Sequence, residues 1–461
     1  MKIKINENKR FQTLTGFGVS GAWWAQFVGG WTDIDEESGL EKRERIAQLL
    51  FDNEQGIGIS QYRYNIGAGS ADSNAGRYST DRRRTRGLEK APGVYDWSND
   101  ANAVWFMYAA KKYGVDEITL FVNSPPERLT KNHKAYLDTA LKTNLSRKNF
   151  DEFAKYCLDI TEHFVNEGLP IKYISPVNEP VWVWLENQEG CHYRPCQVYA
   201  LMKVFAKALD ARKGLKGVKL AGAENGDIRW FNKTYSHIML RNPHIRSTVD
   251  GVDIHSYCMP TPKIPILNKP LNDRLAYAKR YRKWMDRHYP DAPVKISEWC
   301  HMQGGRDYGM NSALEQAKIM TEDLTVMNAV SWQLWVGLSE VDYCDGIIYY
   351  FDENGENAFK LTKRYYAFGN FSKYIKRGSV RIDARIDCEN AYAVAFDCSD
   401  EIAVIIINFS ENTEECSIDF GEKSAVMYVT DEENSLDKHE IDNLGSFSVS
   451  AKSVNTVIIK K

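Results

Sequence analysis

A regular alternation of short apolar runs and helix-like segments is the feature that most constrains the fold of this chain. Apolar strands that alternate with amphipathic helices are typical of parallel sheets, and eight such repeats are typical of a closed barrel. We therefore predict an α/β fold built on a (β/α)8 TIM barrel. The predicted strands are residues 17–21, 59–66, 117–123, 171–174, 218–224, 252–257, 294–297 and 329–335.

An open, doubly wound parallel sheet is the structural alternative to the barrel. That fold places a glycine-rich phosphate loop directly after its first strand. Gly16-Phe17-Gly18 is too short a match to such a loop. The absence of the loop from the sequence favours the barrel.

The pattern of the sequence changes near residue 377. Short β-type runs separated by turn residues follow, without helical periodicity between them, at residues 391–396, 402–409, 416–420, 425–429 and 446–459. This pattern predicts an appended antiparallel β-sandwich. The charged and apolar alternation of residues 1–5 predicts a further strand, which cannot easily join a closed barrel. We therefore assign residues 12–374 to the barrel, and residues 1–11 with 375–461 to the sandwich.

The charge of the chain excludes some partners. Lys and Arg number 59 and Asp and Glu number 62, which gives a net charge of -3. Nucleic-acid-binding proteins normally carry a basic excess, so we predict no nucleic-acid partner. The local exception is Arg82-Arg83-Arg84-Thr85-Arg86, which we interpret as a solvated loop.

The cysteines and the N-terminus bear on compartment and cofactors. Nine scattered cysteines form an odd set, which is typical of a reducing compartment. The N-terminus lacks the apolar core of a signal peptide, and no stretch is long enough to span a membrane. We expect a cytoplasmic protein, or a secreted one if a leader has been removed. Cys191 and Cys196 lack a second Cys or His pair with zinc spacing, so we predict neither metal nor cofactor.

The ends of the predicted strands carry the candidate functional residues. In a parallel barrel, side chains at the carboxyl ends of the strands converge on one site. Carboxylates, amides, an arginine and many aromatic rings suit a carbohydrate, whereas phosphate chemistry requires a lysine or glycine-rich nest and a metal hydrolase requires clustered His and Asp. The strand-end residues are Trp23, Trp24, Arg63, Asn65, Asn123, Asn178, Glu179, Glu224, His255, Tyr257, Glu298, Trp299, Trp332 and Trp335.

Glu179 and Glu298 are the predicted catalytic pair. Each follows an apolar strand, the fourth and the seventh, and these strands end across a barrel mouth from each other. Glycoside hydrolysis needs one protonated carboxyl group and one ionised carboxylate. We predict that Glu179 is the acid/base and Glu298 the nucleophile, with retention of configuration if the carboxyl groups lie about 5–5.5 Å apart. The alternative reading of each is an ordinary loop carboxylate.

The remaining strand-end residues have competing interpretations. Glu224 is either a third carboxylate of the site or part of a turn with Asn225-Gly226-Asp227. His255 is either a substrate contact or a hydrogen-bonded histidine of the barrel. Trp23 and Trp24 cannot both face the site because neighbouring strand residues point in opposite directions. Arg63 in an apolar strand requires a carboxylate partner.

Several ordered motifs together resemble glycoside hydrolase family 30, a family of clan A retaining glycosidases. They are Gly16-Phe17-Gly18 with Trp23-Trp24, Asn178-Glu179-Pro180, Ser297-Glu298-Trp299, and the run from Tyr365 to Ile375 that leads into the sandwich. The resemblance implies that Glu179 is the acid/base and Glu298 the nucleophile. It also implies that Arg63, Asn178, Tyr257 and Trp332 line the subsite for the cleaved sugar.

The substrate expected from this resemblance is β-1,6-linked galactan or its oligosaccharides. The Trp23-Trp24 opening and the Trp31-Thr32-Asp33 loop resemble the endo-β-1,6-galactanase branch. A β-1,6-glucan, a β-xyloside and a β-glucosyl lipid are the alternatives within the family, and a non-catalytic sugar-binding barrel is the alternative outside it. The predicted sugar contacts are Trp24, Arg63, Asn123, Asn178, His255, Tyr257, Trp299 and Trp332.

Overall fold

The computed structural model of the chain contains twenty-three strands and ten α-helices in the residues that it describes, which are 1–73, 75–76, 78, 80–185, 188–229, 231–258, 272–421 and 423–461. The strands are β1 (Lys2–Thr13), β2 (Gly16–Ser20), β3 (Gln61–Asn65), β4 (Glu89–Ala91), β5 (Val94–Tyr95), β6 (Glu117–Phe121), β7 (Ile171–Ser175), β8 (Lys219–Leu220), β9 (Ala223–Asn225), β10 (Val252–His255), β11 (Val294–Glu298), β12 (Ala329–Leu334), β13 (Val336–Ser339), β14 (Gly346–Glu353), β15 (Glu356–Leu361), β16 (Val380–Ile386), β17 (Ala391–Asp397), β18 (Glu401–Asn408), β19 (Glu414–Asp419), β20 (Ala425–Thr430), β21 (Ser435–Ile441), β22 (Phe447–Val449) and β23 (Ser453–Lys460). The helices are α1 (Ala25–Val28), α2 (Lys42–Phe51), α3 (Ala101–Lys112), α4 (Phe150–Asn166), α5 (Pro195–Asp210), α6 (Asn232–Arg241), α7 (Pro243–Ser247), α8 (Arg274–His288), α9 (Met310–Val326) and α10 (Lys363–Ser372).

The predicted parallel barrel is present. One nine-stranded sheet has the order β8-β7-β6-β3-β2-β12-β11-β10-β9. Its two end strands, β8 and β9, are consecutive pieces of the fifth predicted strand, so the sheet closes at that position. Neighbouring strands in this sheet run parallel, for example β3 with β6 and β10 with β11. The eight predicted strands therefore fill the eight positions of a (β/α)8 barrel, which confirms the predicted fold class.

Burial of the barrel strands on both faces explains why they were recognisable in the sequence. Every residue of β3, β6 and β11 is buried. Strands of a parallel barrel have side chains packed inside the barrel on one face and helices on the other, so their sequences are largely apolar. A charged residue in such a strand must have a partner, because an unpaired buried charge is very costly. Arg63 and Glu298 are two such residues.

The C-terminal part of the chain forms the predicted β-sandwich domain. Its strands follow the order β21-β20-β23-β18-β17-β16-β1-β19-β22. The pairs are antiparallel except that β1 runs parallel to β19 while it pairs antiparallel with β16. Apolar side chains from most of these strands share one core, which includes Ile3, Ile382, Val404, Ile406 and Val457.

Several strands outside the barrel sheet differ from the sequence prediction. Strands β16 and β21 were not predicted, because polar and charged residues interrupt their apolar positions. A separate three-stranded sheet of β13, β14 and β15 follows the last barrel strand and was also not predicted. Strand β1 extends to Thr13, so it is longer than the predicted segment at residues 1–5.

The chain divides into two compact units. One unit comprises Met1–Gly18, Gln48–Ser60 and Cys300–Lys461, and the other comprises Val19–Ala47 and Gln61–Trp299. The domain boundaries at residues 12 and 374 were predicted from the order of strands and helices along the sequence. These domain boundaries stay a prediction. Over the ranges that the structure describes, no helix is both long enough and apolar enough to cross a bilayer.

Truncation of the sandwich core should destabilise the protein. Ile406 is fully buried in that core, so we expect Ile406→Ala to lower the free energy of unfolding by about 2–5 kcal/mol. Lys438→Ala provides the control, because Lys438 is exposed and pairs with the exposed Glu440, and we expect it to change stability by less than about 0.5 kcal/mol. Denaturant unfolding of the two variants measures the difference. Equal midpoints would show that Ile406 does not carry this core.

Candidate active site

The two predicted catalytic glutamates meet in one buried site within the unit that contains residues 61–299. Glu298 is the last residue of β11, and Glu179 follows β7 after Pro176-Val177-Asn178. Both are buried, with 8% and 4% of the surface of Glu179 and Glu298 exposed. A carboxylate oxygen of Glu179, one of Glu298 and a ring nitrogen of His255 all lie within 4.8 Å of one another. Residues about 120 positions apart in the chain thus share one site because their strands end on the same face of the barrel.

His255 lies between three carboxyl groups at the end of β10. Its Nδ1 is 2.9 Å from Glu179 Oε1 and 3.3 Å from Glu298 Oε1, and its Nε2 is 3.0 Å from Glu224 Oε2. Burial alone would lower the pKa of this imidazole. The charges and hydrogen bonds of Glu298, Glu179 and Glu224 outweigh burial and raise the pKa of His255 to about 10. The ring is therefore an imidazolium at neutral pH, with an N–H to donate on each side.

Arg63 supplies a second buried cation to the carboxylates. Its Nη1 donates to Glu298 Oε2 at 3.0 Å and to the carbonyl oxygen of Ser297 at 2.8 Å, and its Nη2 donates to Glu224 Oε2 at 3.3 Å. The guanidinium also lies 4.3 Å from the ring centroid of Phe121. Arg63 thus has the carboxylate partners that its position in an apolar strand requires.

Glu224 is ionised despite complete burial. Burial raises the pKa of a carboxyl group, but the charge of Arg63 and the charge and hydrogen bond of His255 oppose it. Ser297 Oγ adds a third hydrogen bond to Glu224 Oε2 at 2.6 Å. Together these donors hold the pKa of Glu224 well below its usual range.

Glu179 responds to the same surroundings in the opposite direction. Burial is the largest cause, and it raises the pKa of Glu179, while the hydrogen bond and charge of His255 lower it. The negative charges of Glu298 and Glu224 raise it further, and the result is a pKa of about 7. Glu179 is therefore the carboxyl group of this cluster that holds a proton near neutral pH.

The backbone at two of the carboxyl groups is held in a conformation that non-glycine residues rarely adopt. Glu179 has a φ of 43° and Glu224 a φ of 49°. The backbone N–H of Glu179 donates to the carbonyl oxygen of Glu224 at 2.8 Å, which ties the two turns together. Such left-handed residues cost of order 1–3 kcal/mol each and persist only where the surrounding structure fixes them. The side-chain positions of both glutamates therefore depend on packing around them.

Three amides form a chain beside the acids. Asn178 Nδ2 donates to Asn123 Oδ1 at 3.1 Å, and Asn123 Nδ2 donates to Asn65 Oδ1 at 3.4 Å. All three are buried at the ends of neighbouring strands. The hydroxyl of Tyr257 donates to Glu298 Oε1 at 3.1 Å, which adds a further contact to the predicted nucleophile.

A family comparison bears directly on this arrangement. The model of O-Glycosyl hydrolase family 30 matches residues 1–349. The chain belongs to this family. It is accordingly an O-glycosyl hydrolase, as the strand-end chemistry predicted, and its substrate is a carbohydrate.

One relative and two solved structures are similar to this glycosyl hydrolase over most of its length. An endo-β-1,6-galactanase of Hypocrea rufa is 24% identical over 422 residues, which cover 88% of this chain and 80% of the relative. The crystal structure of a conserved exported protein from Bacteroides fragilis matches all of both chains with a TM-score of 0.87 at 23% identity. The catalytic domain of the family 30 xylanase C from Talaromyces cellulolyticus also matches all of both chains, with a TM-score of 0.75 at 19% identity.

The tryptophans predicted as sugar contacts lie in packed positions. Trp24 donates its indole N–H to the carbonyl oxygen of Ser20 at 2.9 Å and packs edge-on against Phe106. Trp332 belongs to the other compact unit, where it donates to Asp323 at 3.0 Å. Trp299 is buried directly after β11. The structure thus gives Trp24 and Trp332 packing partners, and a sugar-binding role for all three stays a prediction.

A metal ion fits this cluster poorly. Glu179, His255 and Glu298 offer donor atoms at suitable spacing. However, the ring nitrogens of His255 point at carboxylate oxygens, and the guanidinium of Arg63 already forms an ion pair with Glu298. A metal ligand must present a lone pair, and protonated His255 has none to offer. The arrangement is that of a hydrogen-bonded group of acids and bases.

Two members of the site were underestimated from the sequence. Glu224 was left between a site carboxylate and a turn residue, and the structure places it in contact with both Arg63 and His255. Asn65 was predicted only as a strand-end residue, although its Oδ1 accepts the last hydrogen bond in the row of three side-chain amides. The signal for both was their position at the carboxyl end of a barrel strand, which is the same signal that identified Glu179 and Glu298.

The close approach of Gly226 to Glu179 gives a test of the site geometry. A β-carbon at position 226 would lie 2.6 Å from the carboxyl carbon of Glu179 and would also overlap the indole of Trp182. We expect Gly226→Ala to displace the Glu179 carboxyl group and to lower kcat/KM by about 10²-fold.

The control for that variant is Gly217→Ala, where an added β-carbon meets no atom within 4 Å. It should leave both rate and melting temperature unchanged. Circular dichroism should show that Gly226→Ala remains folded. A Gly226→Ala protein with wild-type kcat/KM would mean that Glu179 tolerates displacement and is not the acid of the reaction.

Proposed function

We propose that this family 30 hydrolase is a retaining β-glycosidase with Glu179 as acid/base and Glu298 as nucleophile. The observation that carries the proposal is the approach of their carboxylate oxygens to within 4.8 Å of each other. Retaining glycosidases hold their carboxyl groups about 5–5.5 Å apart, whereas inverting ones leave about 6.5–9.5 Å for a water molecule. A separation this short supports direct attack by Glu298 rather than attack by an intervening water molecule.

The unequal surroundings of the two carboxyl groups support the division of roles. Glu298 accepts hydrogen bonds from Arg63 and Tyr257, which hold an ionised carboxylate in position for attack. Glu179 keeps its proton near neutral pH because of burial and the neighbouring negative charges. A nucleophile needs the first environment and a general acid needs the second.

In the first step, an oxygen of Glu298 forms a bond to the anomeric carbon. The bond from that carbon to the leaving oxygen breaks, and Glu179 transfers its proton to the leaving oxygen. The products of this step are a glycosyl ester on Glu298, an ionised Glu179 and the departing alcohol.

In the second step, Glu179 takes a proton from a water molecule. The water oxygen attacks the anomeric carbon, and the ester bond to Glu298 breaks. Two inversions at the same carbon restore the original configuration, and both carboxyl groups return to their starting states.

The substrate that we propose is β-1,6-linked galactan or its oligosaccharides. The relative that supports this choice is an endo-β-1,6-galactanase at 24% identity over most of both chains. The Trp23-Trp24 opening and the loop at Trp31 resemble the same branch of the family.

Incubation with β-1,6-galactan, β-1,6-glucan, xylan and aryl β-glycosides should identify the substrate. We expect β-1,6-galactan to be cleaved with the highest kcat/KM, and product sizes to distinguish internal from terminal cleavage. Preferential release of glucose or xylose oligomers would reassign the substrate within the family. Binding of galactan without hydrolysis by the wild-type protein would favour a non-catalytic sugar-binding barrel.

Azide rescue of two alanine variants tests the roles of the carboxyl groups. Glu179→Ala and Glu298→Ala should each lose at least about 10²-fold of kcat on galactan. With an activated aryl β-glycoside, azide should give a β-glycosyl azide on Glu179→Ala, because it replaces water after the ester has formed. It should give an α-glycosyl azide on Glu298→Ala, because it then replaces the nucleophile. The opposite pattern would exchange the two roles.

The pH dependence of kcat/KM follows from the raised pKa of Glu179. The first step requires protonated Glu179, and the pKa of about 7 means that the proton is lost as the pH rises through that value. We therefore expect kcat/KM to fall on the alkaline side of about pH 7. A profile that stays flat to pH 9 would contradict the assignment of Glu179 as the acid.

A further inference from the structure

Glu224 has no part in the two chemical steps, yet it is one of three carboxyl groups in the site. Its carboxylate is completely buried at the end of β9. An isolated buried carboxylate is strongly destabilising, so its retention in the barrel requires an explanation. Three donors converge on its Oε2, which are His255 Nε2, Arg63 Nη2 and Ser297 Oγ.

The charges of the cluster give that explanation. Arg63 and His255 carry two positive charges, and they contact three carboxyl groups, so the carboxyl groups outnumber the cations by one. The cluster is neutral when only one carboxyl group, Glu179, is protonated. It acquires a net negative charge when Glu179 ionises, and a net charge is unfavourable in a buried site.

Within the described part of the chain, the charge of Asp253 also reaches Arg63 and Glu224, and Lys295 offsets it. Asp253 and Lys295 are the next charged groups along β10 and β11, and they pair with each other at 3.1 Å. Tyr257 faces Glu298 as a neutral hydroxyl donor. The backbone carbonyl of Glu179 accepts from the indole of Trp184, which carries no charge.

We propose that Glu224 is a positioning residue of the catalytic centre. Its fixed negative charge balances a buried cation, so that Glu179 is the carboxyl group that keeps the proton. Glu224 acts through His255, because the two nitrogens of one ring contact Glu179 and Glu224. It also acts through the backbone, because its carbonyl oxygen holds the N–H of Glu179 at 2.8 Å. The inference rests on the proposed role of Glu179 as the general acid.

Two variants that change the charge of the site in opposite directions test the inference. Glu224→Gln removes a negative charge, so the site becomes positive while Glu179 is protonated, and the proton of Glu179 is released more easily. We expect the alkaline limb of the kcat/KM profile to move to lower pH by about 1–3 pH units. His255→Gln removes a positive charge, and we expect the limb to move to higher pH.

The matched control is Glu189→Gln. Glu189 is another fully buried glutamate, which accepts hydrogen bonds from Ser70, Thr85 and the backbone of Ala68 and contacts neither His255 nor Arg63 in the described structure. We expect this variant to lower the melting temperature while the alkaline limb keeps its wild-type position. Glu224→Asp, which keeps the charge, should lower kcat with little movement of the limb.

The outcomes separate this inference from the proposed function. Opposite movements for Glu224→Gln and His255→Gln support the charge-balancing role. If the alkaline limb does not move in either variant, or moves in the same direction in both, the charge-balancing role is overturned. The wild-type enzyme would still be a retaining glycosidase in that case. If Glu224→Gln does not fold, a downward or absent movement in His255→Gln alone overturns the inference. A wild-type profile without an alkaline limb refutes instead the assignment of Glu179 as the acid.

Discussion

The pairing of two buried cations with three buried carboxyl groups is the interaction on which this active site depends. Arg63 and His255 are completely buried, as is Glu224, and none of these charges could remain in the barrel interior alone. Each is stable there because the others are within hydrogen-bond distance. Burial and the neighbouring negative charges raise the pKa of Glu179 to about 7, and a raised pKa of this kind is what a general acid near neutral pH requires.

The barrel supplies the geometry that this balance needs. The five groups come from β3, β9, β10 and β11 and from the turn after β7. These segments belong to one barrel sheet, and the groups lie towards its carboxyl-terminal end. Glu179 and Glu224 are held in left-handed backbone conformations and are joined by a main-chain hydrogen bond. Local strain at the site is therefore maintained by a rigid scaffold, as is common where side chains must be positioned for reaction.

Much of the fold and part of the site could be predicted from the sequence. Parallel strands buried on both faces appear as apolar runs, so β3, β7 and β11 were recognisable individually. Strands with one polar face, such as β16 and β21, were not. Glu179 and Glu298 were identified because a carboxylate at the end of an apolar strand has few structural reasons to be there. Glu224 has the same position, but the turn residues that follow it gave a second, equally reasonable interpretation.

The sequence by itself determined the order of strands and helices, the closure of eight strands into a barrel, the family and the chemical types at the strand ends. These features are local or periodic, so they can be read from neighbouring residues. Only the tertiary structure decided which end groups meet, that His255 joins Glu179 to Glu224, and that Trp24 and Trp332 have packing partners in the interior. Distances between residues far apart in the chain set the charge balance and hence the protonation of each group, and no local pattern encodes those distances.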